Sequence, residues 1–132
     1  MRNLILGSLM LVAPVLATAA SDGPVANPPN VKQDLLVSQS SKPGLFVARS
    51  RLPADGLVKP HSHDQPRYIA VVTGTLYSCT SGTVSKAAAV AHKAGEFFEI
   101  KANEVHCSWA PDGAVDYFEI GTGPQVTTFL DK

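Results

Sequence analysis

His61-Ser62-His63 is where residue type and spacing most directly offer chemistry in this chain of 132 residues. Strand side chains alternate with period two, so histidines one residue apart turn both imidazoles to the same face. A third histidine, His106, stands downstream in GEFFEIKANEVHCSWA. Three neutral imidazoles converging inside a small β domain suit a divalent metal with coordination positions left open. Zinc, copper, iron, manganese and nickel are not distinguishable from these ligand types. The alternative is a site whose histidines hydrogen-bond a ligand directly, without metal. His92, in KAAAVAHKAG, fits no ligand spacing and reads as a solvated loop residue.

The elements around these residues read as short strands. LLVSQS and LFVARSRL are alternating or β-branched runs bounded by SKPG and PADG, which are turn signals. Pro60 immediately before His61 suits a strand start, where a missing backbone donor does least harm. RYIAVVTG carries apolar residues on both faces, so it needs covering twice, by the core and by a second subunit. Gly74 turns the chain into TLYSCT. SGTVSKAAAVAHKAG reads as turn-rich and polar, with at most a helical turn at AAAVA. FFEI, EVHCSWA and VDYFEIGTG complete the strands. No helical period of 10–15 residues separates them, so the expectation is an all-β antiparallel sandwich or barrel rather than a parallel α/β sheet.

At the N-terminus, Arg2, an apolar run from Leu4 to Ala17 and then Ala17-Thr18-Ala19 follow the layout of a secretory signal peptide. The run is shorter than the ~20 residues a membrane helix needs, and Pro14 interrupts it. The expected organisation is a signal peptide over 1–19, a loose Pro/Gly-rich leader over 20–30 and one β domain over 31–132. Location is then periplasmic or secreted, with no stable membrane anchor after cleavage. Removing 19 of 132 residues leaves 113, enough for one core. Without Arg2 there are 10 basic against 11 acidic residues, a net of −1, which excludes the basic surface a nucleic-acid binder needs. Cys79 and Cys107 are permitted a disulfide in an oxidising compartment, and two free thiols remain the alternative.

With these residues in place, the chain resembles the cupin superfamily, in particular small single-domain secreted cupins. Gly56, LVKP, His61-Ser62-His63, DQP, Arg67, YIAVVT and Gly74 follow its first motif, one residue short in the first gap and with Arg67 in the place of glutamate. Gly95, EFFEI, Lys101-Ala102-Asn103, EV, His106, CSW and Ala110 follow the spacing of its second, with Lys101, Asn103 and Ala110 replacing Pro, Gly and Asn. The resemblance runs from about Val31 to the C-terminus and is far more specific for fold than for chemistry. It implies an antiparallel jelly-roll (cupin) β-barrel, inward-facing His61, His63 and His106, and a homodimer. It also places the strands of Cys79 and Cys107 side by side, with both thiols outward, which supports the disulfide.

The resemblance makes Arg67 informative. The family's glutamate would offset a metal's charge, whereas three neutral imidazoles, a dication and a guanidinium sum to +3. Either Arg67 finds a carboxylate elsewhere in the protein, or the site recruits an anion. Arginine suits bidentate contact with carboxylates, so the expected ligand is a small anionic compound spanning metal and Arg67. A chain exported unfolded would collect its metal outside the cytoplasm, where affinity order favours copper and zinc; the family's oxygenases point instead to iron. Asp64 and Gln65 are candidates for a fourth ligand. Tyr117 and Glu119 are candidates to face the cavity; Tyr77 shares parity with Cys79 and reads as outward. The first functional expectation is a metal-dependent oxygenase, isomerase or lyase, with Glu104, a tyrosine or metal-bound hydroxide as base. The others are a non-catalytic module that binds or senses a metal or small carboxylate, and a structural barrel with a vestigial site.

Overall fold

In GLFVARSRL, Phe46, Ala48, Ser50 and Leu52 are buried while Val47, Arg49 and Arg51 are half-buried. That alternation is the signature of a strand with one face on a core. The computed structural model describes residues 31–130; the expected signal peptide and leader lie outside the described residues. The strands are β1 (Lys32–Val37), β2 (Gly44–Leu52), β3 (Leu57–His63), β4 (Arg67–Thr73), β5 (Thr75–Thr80), β6 (Ala89–Lys93), β7 (Phe97–Ile100), β8 (His106–Trp109), β9 (Val115–Gly123) and β10 (Thr127–Phe129). No helix occurs among the described residues.

Two five-stranded sheets form, in the orders β1-β2-β9-β4-β7 and β10-β3-β8-β5-β6. Every pairing is antiparallel. The chain crosses from the first sheet to the second at Gly74, the single residue between β4 and β5. Its φ is +80°, and a Cβ there would lie 2.5 Å from the Ala114 carbonyl oxygen. Only glycine fits that corner.

Between the sheets lies a core of Leu52, Ile69, Val71, Leu76, Ile100, Ala110, Val115 and Tyr117. Burying each large apolar side chain here stabilises the fold by roughly 1.5–3 kcal/mol. A second cluster, Leu57, Tyr77, Cys79, Cys107 and Trp109, occupies the outer face of the β3-β8-β5 sheet. Val84, from the segment joining β5 and β6, packs against it. Lys86 and Tyr77 both bond Asp112, which ties that segment down. Outward from the barrel is therefore not exposed: both cysteines are fully buried. They are register partners of β5 and β8, 4.9 Å apart at Cα, and are joined as a disulfide.

One sequence reading is corrected here, and one strand lies where none was expected. The segment read as polar turn with a helical AAAVA contains β6, which pairs with β5 from Thr75↔Lys93 to Cys79↔Ala89. Ladder hydrogen bonds and the packing of Ala89 on the outer cluster outweigh alanine's helix preference. The C-terminal β10 was not expected either; three residues are too few for a pattern to declare itself. It pairs with β3, Thr127↔His63 and Phe129↔His61.

Candidate metal centre

His61 and His63 come from β3 and His106 from β8, where His61 and His106 are register partners. The β3–β8 register slips between Val58 and His61, the stretch that holds Pro60. A proline donates no ladder hydrogen bond, so an irregularity is easily accommodated there. The slip lets Val58 and His61, three residues apart, both face the interior. The second motif is tied to the first by its turn: Asn103 adopts φ 62°, a conformation asparagine tolerates, and its N–H donates to the His63 carbonyl at 2.6 Å. Asparagine thus does at this turn what a glycine would.

The three imidazoles are 6%, 3% and 3% exposed. Their ligand atoms lie within 4.8 Å of one another. Nδ1 of His61 bonds the Lys59 carbonyl at 2.6 Å and Nδ1 of His106 the Glu104 carbonyl at 3.0 Å. A carbonyl only accepts, so both Nδ1 atoms carry the proton and both Nε2 atoms keep the lone pair. Nδ1 of His63 bonds Thr127 Oγ1 at 3.0 Å, while its Nε2 is buried with no hydrogen-bond partner among the described residues. An orphaned buried nitrogen is costly unless something completes it. This is the arrangement of metal-ligating histidines: one nitrogen oriented by the protein, the other free.

Burial also keeps these rings in the ligating, neutral form. Desolvation pushes His63 down to about 2, helped by Arg67, His61 and His106, and pushes His106 down to about 4. It lowers His61 as well. The donor set, its protonation and the orphaned Nε2 all fit a divalent ion.

The opposite sheet presents a hydrogen-bonded polar row. Arg67 is buried; its Nε donates to Gln125 Oε1 at 2.7 Å and its Nη1 to Glu119 Oε2 at 2.7 Å. Phe46 lies under the guanidinium, 5.3 Å from its centroid. Ser50 Oγ donates to Glu119 Oε1 at 2.6 Å, and Gln33 Nε2 reaches both. Gly121, opposite Arg67 in the ladder, gives Phe46 its place: a Cβ there would lie 2.6 Å from that ring. The acid absent from position 67 is thus present on β9, and the Arg67–Glu119 pair is neutral as a unit.

Histidines and row face a cavity of about 320 Å³. Tyr117 and Glu119 line it; Tyr77 does not, and belongs to the outer cluster. Tyr117 is buried completely, which raises its phenol far above the ordinary range despite Ser108 and Ser50 beside it. Asp64 and Gln65 are exposed, and Asp64 accepts from the Val126 N–H at 2.8 Å, closing the turn toward β10. Glu104 Oε2 accepts from the Lys101 N–H, so its carboxylate serves a turn. His92 is no solvated loop residue: it stacks on Phe98 at 3.6 Å and bonds Ser78 Oγ at 2.9 Å. Sequence reasoning missed Gln33, Ser50, Gln125, Thr127 and Phe129. Alternation on β2 marked Ser50 as inward, but nothing local marks the others.

No family model and no curated protein matches the chain. Solved structures do. A cupin-like protein of Thermotoga maritima is 25% identical with a TM-score of 0.65, over 78% of this chain and 77% of that one. A Klebsiella pneumoniae protein with a double-stranded β-helix domain is 13% identical with a TM-score of 0.65, over 79% and 87%. Salicylate 1,2-dioxygenase of Pseudoaminobacter salicylatoxidans, in complex with gentisate, is 15% identical with a TM-score of 0.66, over 80% of this chain but only 30% of that one. A sugar phosphate isomerase and a DMSP lyase share the fold too, so architecture alone selects no reaction. The chain has the antiparallel jelly-roll fold of the cupins, with a buried three-histidine cluster inside the barrel.

Proposed function

We propose that this protein is an exported cupin-fold domain that binds one divalent metal through Nε2 of His61, His63 and His106 and presents it to a small anionic compound. The observation that carries this is the buried, unpartnered Nε2 of His63 beside two imidazoles whose Nδ1 atoms are fixed on carbonyls. A bound dication supplies Lewis acidity and open coordination positions. With Arg67 neutralised by Glu119, a dication still leaves the cavity at +2, which favours an anionic ligand. Arg67 is held through Nε and Nη1 and lines the cavity, and its Nη2 is the group we assign to that ligand. The activity is a metal-dependent oxygenase, isomerase or lyase reaction. Export is supported by the layout of residues 1–19. A homodimer is supported by Tyr68, Val72 and Phe97, which stay exposed on the outer face of the β4–β7 pair.

A second reading, a non-catalytic binding module, is favoured by one observation. Both Glu119 oxygens are engaged and the Tyr117 phenol stays protonated, so neither serves readily as a proton acceptor. Titration of metal-loaded protein with a carboxylate panel tests the anion site. Carboxylates should perturb the metal's spectrum, and Arg67→Lys should weaken them. Spectra unmoved by any carboxylate would rule that site out, and saturable binding with no metal-dependent turnover would favour the second reading.

A further inference from the structure

The cavity wall opposite the histidines has few polar groups to spare. Gln33, Ser50, Glu119 and Arg67 satisfy one another, and on the histidines' own sheet Thr127 is bonded to His63. Arg67 engages that row through Nε and Nη1. The remaining lining is largely apolar, and it does not stop at the interior. Val31, Leu35 and Phe129 line the cavity and are 37%, 52% and 54% exposed. Leu35 projects from β1, an edge strand exposed along its whole length. Phe129 sits on the facing edge, its ring 5.3 Å from that of His61. Apolar side chains thus line the cavity both near the three-histidine cluster and at its exposed rim.

From this we infer that the ligand is amphipathic: an anionic head at the metal, and an unbranched or aromatic apolar body lying along Phe46, Leu35 and Phe129 toward the mouth. The inference rests on the metal reading and adds the ligand's second half. The apolar surface is continuous with the cavity rather than a separate patch, so its occupant is the body of whatever the cavity binds. A cavity of about 320 Å³ is at the small end of ligand sites, so a body longer than a few carbons must run out over the exposed rim.

The test uses Co²⁺-loaded protein and straight-chain carboxylates from acetate to octanoate, read by the cobalt absorption spectrum. Affinity should rise roughly three- to fourfold per methylene, the worth of a buried CH₂, until the chain clears the rim. Leu35→Ala and Phe129→Ala should flatten the rise for the longer acids, each compared with wild type at equal cobalt loading. Equal affinity along the series with cobalt bound would overturn the amphipathic ligand and leave the metal reading standing. Failure to take up cobalt would overturn both. Sedimentation resolves the other occupant: a dimer that either substitution dissociates, with no chain-length dependence, assigns the rim to a second copy and overturns the proposal.

Discussion

Arg67 and Glu119 are the residues on which the site's electrostatics turn. Their side chains are 9% and 12% exposed and 2.7 Å apart, so each would be a nearly buried lone charge without the other. Breaking such a pair from one side costs about 3–5 kcal/mol, because the survivor is left uncompensated. Arg67→Met should therefore destabilise the protein by about that much in urea unfolding, and adding Glu119→Gln should restore part of the loss. Additive effects would mean that the pair is not coupled. Sequence reasoning reached half of this: the odd charge at 67 demanded a carboxylate, within the protein or from a ligand. It could not rank Glu119 first, because the pairing depends on β4 and β9 lying side by side with Ile69 opposite Glu119. The histidines were legible because their spacing is local and their alternation survives, whereas Thr127, which orients His63, arrives from β10 at a separation of 64 residues.

Among the elements, β8 carries the most dissimilar duties. His106 and Ser108 face the cavity while Cys107 and Trp109 face the outer cluster, so one four-residue strand joins site and support. The disulfide to β5 closes 28 residues, a separation that restricts the unfolded chain by about 3–4 kcal/mol on the loop-entropy account. Cys79→Ala/Cys107→Ala should lower unfolding free energy by about that amount. A stability change within about 0.5 kcal/mol would show that the bond does not form in solution. The strands of the two motifs were legible from alternation, turn residues and spacing. Strands β6 and β10 were not: the alanines of β6 favour a helix taken alone, and the three residues of β10 are too few to show an alternation, so both take their conformation from the strand they pair with.

For the molecule as a whole, the buried histidines set the response to acid. His63 and His106 hold at about 2 and about 4, and burial lowers His61 and His92 as well. Unfolded, each binds a proton below about 6.5. The unfolded state therefore takes up more protons as pH falls, and metal-free protein loses stability from about pH 6.5 downward. The slope is on the order of 1 kcal/mol per pH unit for each imidazole kept neutral. Asp116, lowered chiefly by its hydrogen bond from Arg49, adds a loss of the same sign below its ordinary range. Urea midpoints at pH 7.5, 6 and 5 should fall in that order, and a midpoint unchanged to pH 5 would contradict the neutral burial of the rings. The fold was legible at this scale because two motifs in register span most of one small barrel. The ligand was not, since its walls are assembled from both sheets.

Metal content tests the central claim most directly. Protein purified from an exporting host without chelator should carry close to one divalent ion per chain, measured by elemental analysis. His63→Ala should retain the β-sheet spectrum and lose that ion, with affinity reduced more than about 100-fold, since losses around ligands alone cost 10–100-fold. A well-folded wild-type protein that neither carries nor takes up a stoichiometric divalent ion would contradict the account.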